Sequence, residues 1–424
     1  MKVQEVICRV LAGTLTWLQG ADILGIHTRS LRRWRARYEQ QGVLGLHDRR
    51  RGRPSRRTAP VAEVQRLLRL YRERYGPRDG APGFNVRHFH HLARRDHGVT
   101  LSYSFVKLAL QEAGLVRKGR RRGRHRRRRE PRPCFGELLH LDGSRHAWLA
   151  RRPGEQQTLI AVLDDATKQL LYAQLWPGET TAAVMRALWA VFQVHGLPIA
   201  LYTDRAGWAF YTPTAGGKVD LTRPTQLGRA LSRLGIEHIP SYSPQARGRS
   251  ERLNRTLQGR LINELRVAGI TTVDAANAYL REHFIPDYHT QFTRPPTDPA
   301  PAFVALGAAD LDGILCHEDE RTVGLDNVVG LEGVALQLAK QPGRRTCARL
   351  RVTVRRHLDG RHSVWRGTQC LGHYDATGRP LDGPRPKNAR AHLPQEPRSR
   401  RRPYLDIPQQ SRRRGPRLPT GPRV

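Results

Sequence analysis

The sequence predicts a multidomain protein: all-α helix-turn-helix domains at the N-terminal end, a central α/β domain, and a small β-barrel near the C-terminal end. Three observations carry that expectation. Apolar residues recur at helical spacing through residues 16–113. Strand-like apolar runs alternate with helical stretches through 134–300. Short β-type stretches separated by glycine turns fill 310–376. The 424 residues suffice for about two to four domains and at least one substantial core.

Charge narrows the function classes. The chain carries 74 Lys+Arg against 37 Asp+Glu, a formal net charge of +37. A charge of that size repels itself unless a polyanion neutralises it, and nucleic acid is the usual partner. The five cysteines, Cys8, Cys134, Cys316, Cys347 and Cys370, are scattered without a C-x-x-C pair, so neither a disulfide framework nor a zinc module is expected. No run of about 18 apolar residues suggests a membrane span. Residues 1–20 show no clear signal-peptide pattern, so a cytoplasmic protein is expected.

Residues 1–57 are expected to form a first DNA-binding domain. Its helix-turn-helix spans 16–38, with a short helix over Gln19–Ile26 and a turn at Gly25, the residue type that favours a left-handed helix end. Thr28 or Ser30 is expected to cap the second helix. In that helix Leu31, Trp34 and Tyr38 fall on one stripe, and Arg29, Arg32, Arg33, Arg35 and Arg37 occupy the other faces. A recognition helix needs this division, one side anchored and the other turned to the major groove. Gly20 is expected to weaken the first helix slightly. Arg49–Arg57 reads as a basic linker.

A second helical DNA-binding domain is expected over 58–116. Its helices carry Val64, Leu67, Leu68 and Tyr71, then Val86, Phe89, Leu92 and Ala93, then Phe105, Leu108 and Ala109. His88, His90, His91 and His97 are expected on a helix surface or facing DNA. The Arg-rich stretch 117–133 should stay extended by self-repulsion and track a phosphate backbone.

The α/β domain, 134–300, holds the chemistry. Asp142 closes the apolar run Leu138-Leu139-His140-Leu141, and Asp204 closes Ala200-Leu201-Tyr202-Thr203. Glu251 lies just inside a helix that follows Ser243-Pro244-Gln245-Ala246-Arg247-Gly248. Two strand ends and one helix would bring the three side chains together. Carboxylates so grouped raise one another's pKa, a conflict that divalent metal ions remove. Hard oxygen ligands suit Mg²⁺ or Mn²⁺, the equipment for cutting or joining a phosphodiester. Asp164 and Asp165 are rival carboxylates, but their place in the turn between strands 158–163 and 170–176 favours a structural Asx turn. The strands expected over 310–376 would close a small barrel, and 377–424 is expected to be a disordered basic Pro/Arg tail.

Taken together, Leu141-Asp142, Tyr202-Thr203-Asp204, Ser243-Pro244-Gln245, Gly248 and the Glu251…Asn254 pair resemble the retroviral-integrase-type core of bacterial insertion-sequence transposases, of the IS481/ISNCY type. The resemblance implies an RNase H-like fold (an integrase catalytic core) for 134–300, with Asp142, Asp204 and Glu251 as both catalytic triad and metal ligands. It implies two Mg²⁺ or Mn²⁺ ions about 3.5–4 Å apart, bridged by Asp142, and in-line strand cleavage followed by strand transfer. Double-stranded DNA, as element terminal repeats and target, would be the partner, gripped by a homo-oligomer. On the Glu251 helix, Asn254, Arg255 and Gln258 share a face that would touch the DNA end, and Arg247 and Arg249 would position phosphates. The 46 residues between Asp204 and Glu251 exceed the retroviral spacing, and the stretch 212–220 reads as the extra loop. A transcriptional regulator with a silent core and an RNase H-fold nuclease without strand joining are the alternatives. Two N-terminal DNA-binding units favour end recognition.

Overall fold

Why the chain folds as it does is clearest in its buried stripes. The computed structural model describes residues 3–47, 59–78, 82–119, 129–149, 154–214, 217–242 and 248–381. The basic linker 49–57, the heart of the Arg-rich stretch, Arg247 and the C-terminal tail therefore lie outside the described residues. In chain order the elements are α1 (Val3–Leu11), α2 (Trp17–Ile23), α3 (Thr28–Gln41), α4 (Val61–Leu70), α5 (Val86–His97), α6 (Tyr103–Glu112), β1 (Leu138–His146), β2 (Gln157–Asp164) and β3 (Leu170–Trp176). Then follow α7 (Thr181–His195), β4 (Ala200–Thr203), α8 (Gln226–Arg233), β5 (Glu237–Pro240), α9 (Gly248–Val267), α10 (Val273–Tyr279) and α11 (Ile285–Phe292). Among the described residues six strands follow: β6 (His317–Thr322), β7 (Val328–Leu331), β8 (Val334–Gln337), β9 (Arg351–Arg356), β10 (His362–Arg366) and β11 (Gln369–Tyr374). Among the described residues no helix is long and apolar enough to cross a membrane.

The chain divides into two compact units, residues 1–179 with 241–302, and residues 180–240 with 303–424. Within the first unit, α1, α2 and α3 share a small core of Val6, Ile7, Val10, Ala21 and Leu31, with Trp34 and Tyr38 packed on its edge. The turn is a Schellman motif: Gly25 takes a φ of 63°, and the Ile26 amide donates to the Ala21 carbonyl at 3.0 Å. His27, rather than Thr28 or Ser30, caps α3 through its ring nitrogen. Gly20 is not a weakness. A Cβ there would lie 2.6 Å from Val10 Cγ2 and 3.1 Å from Leu31 Cδ2, so α1 packs directly over the missing side chain.

Helices α4–α6 enclose a second core that includes Leu67, Tyr71, Tyr75, Phe84, Phe89 and Leu110. The histidines expected on its surface are internal fasteners. His88 is fully buried, and its Nε2 meets Glu264 Oε1 at 2.7 Å. His91 meets Asp287 at 2.8 Å, and His97 bonds to the Tyr75 hydroxyl. His88 and His91 belong to the contact between these helices and the α9–α11 region, where burial without a partner would be costly, whereas His97 ties the second helical core to itself.

The first unit's strands form an antiparallel meander, β1 with β2 and β2 with β3. Every residue of β2 is buried, while α9, α10 and α11 contribute Leu253, Leu257, Leu261, Leu265, Ala276 and Tyr288 to the same core as Leu159, Ala161 and Leu175. Strand β1 runs on past Asp142, pairing as far as His146 with Gln157, so Asp142 sits mid-strand and not at a strand end. In the second unit β4 and β5 pair in parallel through α8, as a βαβ crossover requires. Where a small barrel was expected, the described residues form a four-stranded sheet in the order β11-β10-β9-β6, with β7-β8 as a separate hairpin sharing its core.

Gly20→Ala tests the close packing. Helix propensity alone would add about 1 kcal/mol, whereas overpacking of this kind costs about 1–3 kcal/mol. Amide hydrogen exchange in residues 3–47 is expected to speed up in the variant, reporting a net loss of local stability.

Candidate active site

Helix α9 is 20 residues long and places Leu253, Leu257, Leu261 and Leu265 on its buried side, four residues apart. Glu251 lies in its first turn, where a negative charge is favoured by the helix dipole. Asn254 and Gln258 follow on one stripe. Asn254 Nδ2 donates to Asp142 Oδ2 at 2.8 Å, and Gln258 Nε2 donates to Ser144 Oγ at 3.0 Å. Asp142 and Ser144 are two residues apart and so project from the same face of β1. The helix therefore lies along the strand, with Glu251 exposed one turn ahead of Asn254. Asp142 is only 5% exposed, and its amide partner compensates part of the burial. Among the described residues the Asn254 Oδ1 atom is buried without a hydrogen-bond partner. Gly143, between the two site-facing residues, turns to the opposite face, where any Cβ would strike the Glu179 carboxylate.

The rival carboxylates are structural, each in its own way. Asp164 makes the Asx turn, accepting from the Thr167 amide and hydroxyl and from the Gly136 amide. Asp165 does more than that. It is wholly buried and accepts from His140 Nε2 at 2.6 Å, from the Arg132 amide at 2.8 Å and from Arg129 at 2.8 Å. Arg249, two residues before Glu251, pairs with it at 2.7 Å. Burial pushes the Asp165 carboxyl up, but the His140 hydrogen bond, the Arg132 amide and the Arg249 charge outweigh it and hold it below the usual range. This anion anchors the start of α9 and the end of the basic stretch to the β2–β3 turn.

Asp204 belongs to the second unit, directly after β4, as expected. Its Oδ1 accepts from the Ala206 amide at 3.1 Å. The preceding Thr203 hydroxyl meets His238 Nε2 at 2.9 Å, and Phe210 stacks on the His238 ring with centroids 4.0 Å apart. Burial lowers the His238 pKa to about 4.

The remaining expected residues sort by exposure. Arg29, Arg32 and Arg33 are exposed on α3. Arg35 is tied to Glu39 at 2.6 Å and lies over the Trp17 ring, and Arg37 is half-buried. Arg255 is exposed on α9. Among the described residues no three His, Cys, Asp or Glu side chains are gathered closely enough to hold a metal ion. The donors around Asp142, a carboxylate and an amide oxygen, are nevertheless the hard oxygens that Mg²⁺ and Mn²⁺ prefer.

A helix-turn-helix domain model matches residues 4–55, and a homeodomain-like domain model matches 30–110. A Sinorhizobium fredii protein carrying the name transposase y4bF is 32% identical over 367 residues, covering 86% of this chain and 78% of that protein. The chain belongs to the transposases. The Streptococcus pneumoniae transposase for insertion sequence IS1202 is 29% identical to this transposase over 322 residues, 68% of this chain and 67% of that one. Among solved structures, the simian T-cell lymphotropic virus intasome in complex with PP2A regulatory subunit B56 gamma aligns at 13% identity and a TM-score of 0.31, covering 74% of this chain and 99% of that one. The Mos1 transposase paired-end complex aligns at 16% identity and a TM-score of 0.24, covering 66% and 89%.

Sequence reasoning passed over Ser144, His238 and the anchoring role of Asp165. Ser144 carried a usable signal, two places after Asp142 in a strand. His238 did not, because only folding sets it against Thr203 and Phe210.

His238 gives the second unit a pH dependence. Unfolded, it takes a proton near its ordinary value of about 6.5; folded, it resists until about pH 4. Its contribution is present above pH 6.5 and lost as pH falls from there to about 4, amounting to about 3 kcal/mol. Thermal melts of wild type are expected to show this slope, and His238→Phe to flatten it.

Proposed function

We propose that this chain cleaves and joins DNA at the ends of its insertion sequence by a divalent-metal-dependent, polynucleotidyl-transfer mechanism, with Asp142, Asp204 and Glu251 as the catalytic carboxylates. The observation that carries the reading is the Asn254–Asp142 hydrogen bond, which lays the Glu251 helix along the Asp142 strand. Two divalent ions held by these carboxylates would supply Lewis acidity and an activated water or 3′-hydroxyl for in-line attack. The protein's own part is orientation. Asn254 fixes one Asp142 oxygen, and its own unpaired amide oxygen offers a further hard acceptor. The helix N-terminus favours the Glu251 anion and phosphate oxygens alike. Arg249, anchored on Asp165, and exposed Arg255 supply positive charge near the start and middle of that helix.

Recognition would fall to the N-terminal domains. The exposed Arg29, Arg32 and Arg33 of α3 suit a major groove and its flanking phosphates. Pairing two element ends requires at least two copies of the chain, so a homo-oligomer is the working form. Strand joining separates this reading from a simple nuclease, which would stop at cut ends.

Labelled element ends with a target plasmid in Mg²⁺ or Mn²⁺ provide the test. Wild type is expected to give joined products, and Asp142→Asn, Asp204→Asn and Glu251→Gln to give none while still binding the end duplex. Asn254→Ala, which removes only the partner of a ligand, should cost about 10–100-fold. Identical products from wild type and Asp204→Asn would refute the assignment.

A further inference from the structure

The long connection between β4 and α8 contains an exposed aromatic side chain that the chemistry above does not use. Phe210 turns inward onto His238 and is 6% exposed, while the next residue, Tyr211, turns outward and is 41% exposed. Outward projection is fixed from both sides. The Asp220 amide donates to the Tyr211 carbonyl at 2.9 Å, and the Thr225 hydroxyl donates to the Ala209 carbonyl at 2.9 Å. The Arg223 guanidinium lies over the Tyr211 ring, 5.6 Å from its centroid. Leu221 beside it is 74% exposed, and Lys218 is exposed as well. The backbone on either side of Tyr211 is pinned, a cation covers one face of its ring, and the same connection exposes an apolar side chain and a lysine. A single exposed tyrosine would need no explanation, but this set combines the parts of a nucleobase platform.

We propose that Tyr211, with Arg223, Leu221 and Lys218, binds an unpaired nucleotide at a DNA strand end. The inference rests on the proposed strand-transfer reading, because the loop begins at Asp204. A base inside a duplex has both faces covered by its neighbours and offers none to a protein ring. An unpaired base has a face to give, and the Tyr211 ring would stack on it. Arg223 strengthens the ring's grip from behind, and Lys218 matches the adjoining phosphate. The loop thereby favours ends whose terminal nucleotides are already separated from their partners.

The test uses the full chain and two probes: a blunt duplex of the element end, and the same duplex with an unpaired overhang carrying 2-aminopurine, whose fluorescence falls on stacking. Wild type is expected to prefer the overhang and quench it. Tyr211→Ala should lose the quench and weaken overhang binding by about tenfold, within the range that one base–aromatic stack supplies, while blunt-duplex binding stays unchanged. Tyr211→Trp should keep both, and Arg223→Gln should lie between. Equal weakening on both probes, or no change on either, would overturn the proposal. Asp204→Asn separates the two claims: it is expected to quench like wild type yet join no strands. Strand joining by that variant would sink the catalytic reading and leave the overhang preference to stand or fall on Tyr211.

Discussion

One hydrogen bond, from the Asn254 amide to the Asp142 carboxylate, sets the constraint on which the candidate site depends. It holds only while α9 lies flat against β1, and that requires the leucine ladder on the helix's other side to find its core. Leu253, Leu257, Leu261 and Leu265 pack among Leu159, Ala161 and Leu175, so apolar burial drives the helix down and polar contacts set its azimuth. The Gln258–Ser144 contact one turn further along repeats the same match between helical and strand periodicity. Rotating the helix by one residue would break both polar contacts.

Electrostatics works with this packing. A chain with a net charge of +37 contains few anions to spare, yet the first unit buries Asp165 completely and surrounds it with His140, Arg129 and Arg249. A buried carboxylate with this many donors resists movement, because breaking any one pair exposes an uncompensated charge in a poor solvent. It therefore pins the first turn of α9 while leaving Glu251 exposed. The His88–Glu264–Tyr279 set does the same at the other end of the helix, where it binds the second helical domain to α9. The helix that carries Glu251 is fastened at both ends by buried carboxylates and along its middle by leucines.

Much of this was legible in the sequence because the signals were local. The strand–helix alternation of 134–300, the placement of Asp204 just after β4 and the helix bearing Glu251 all follow from periodicity. The helix-turn-helix was legible from its Gly25 turn and the Leu31, Trp34, Tyr38 stripe. What escaped depended on distant partners. Gly20 reads as a poor helix residue until Val10 and Leu31 are set against it, and the histidines of α5 read as surface until Glu264 and Asp287 arrive. Asp142 reads as a strand end because Gly143-Ser144-Arg145-His146 is polar, but pairing with β2 overrides that composition. Strand β6, His-Glu-Asp-Glu-Arg-Thr, escaped for the same reason: it has no apolar alternation and forms against β9 through backbone pairing and a salt bridge.

If the Asp142 strand, the Glu251 helix and Asp204 serve one divalent-metal centre, as proposed, the metal itself can report it. Loading the protein with Fe²⁺ in place of Mg²⁺ and generating hydroxyl radicals would cut the chain beside the bound metal, and mass spectrometry would locate the cuts. Breaks are expected to cluster around residues 142, 204 and 251 and to be suppressed by excess Mg²⁺. Cuts confined to other segments, or none above the metal-free background, would contradict it.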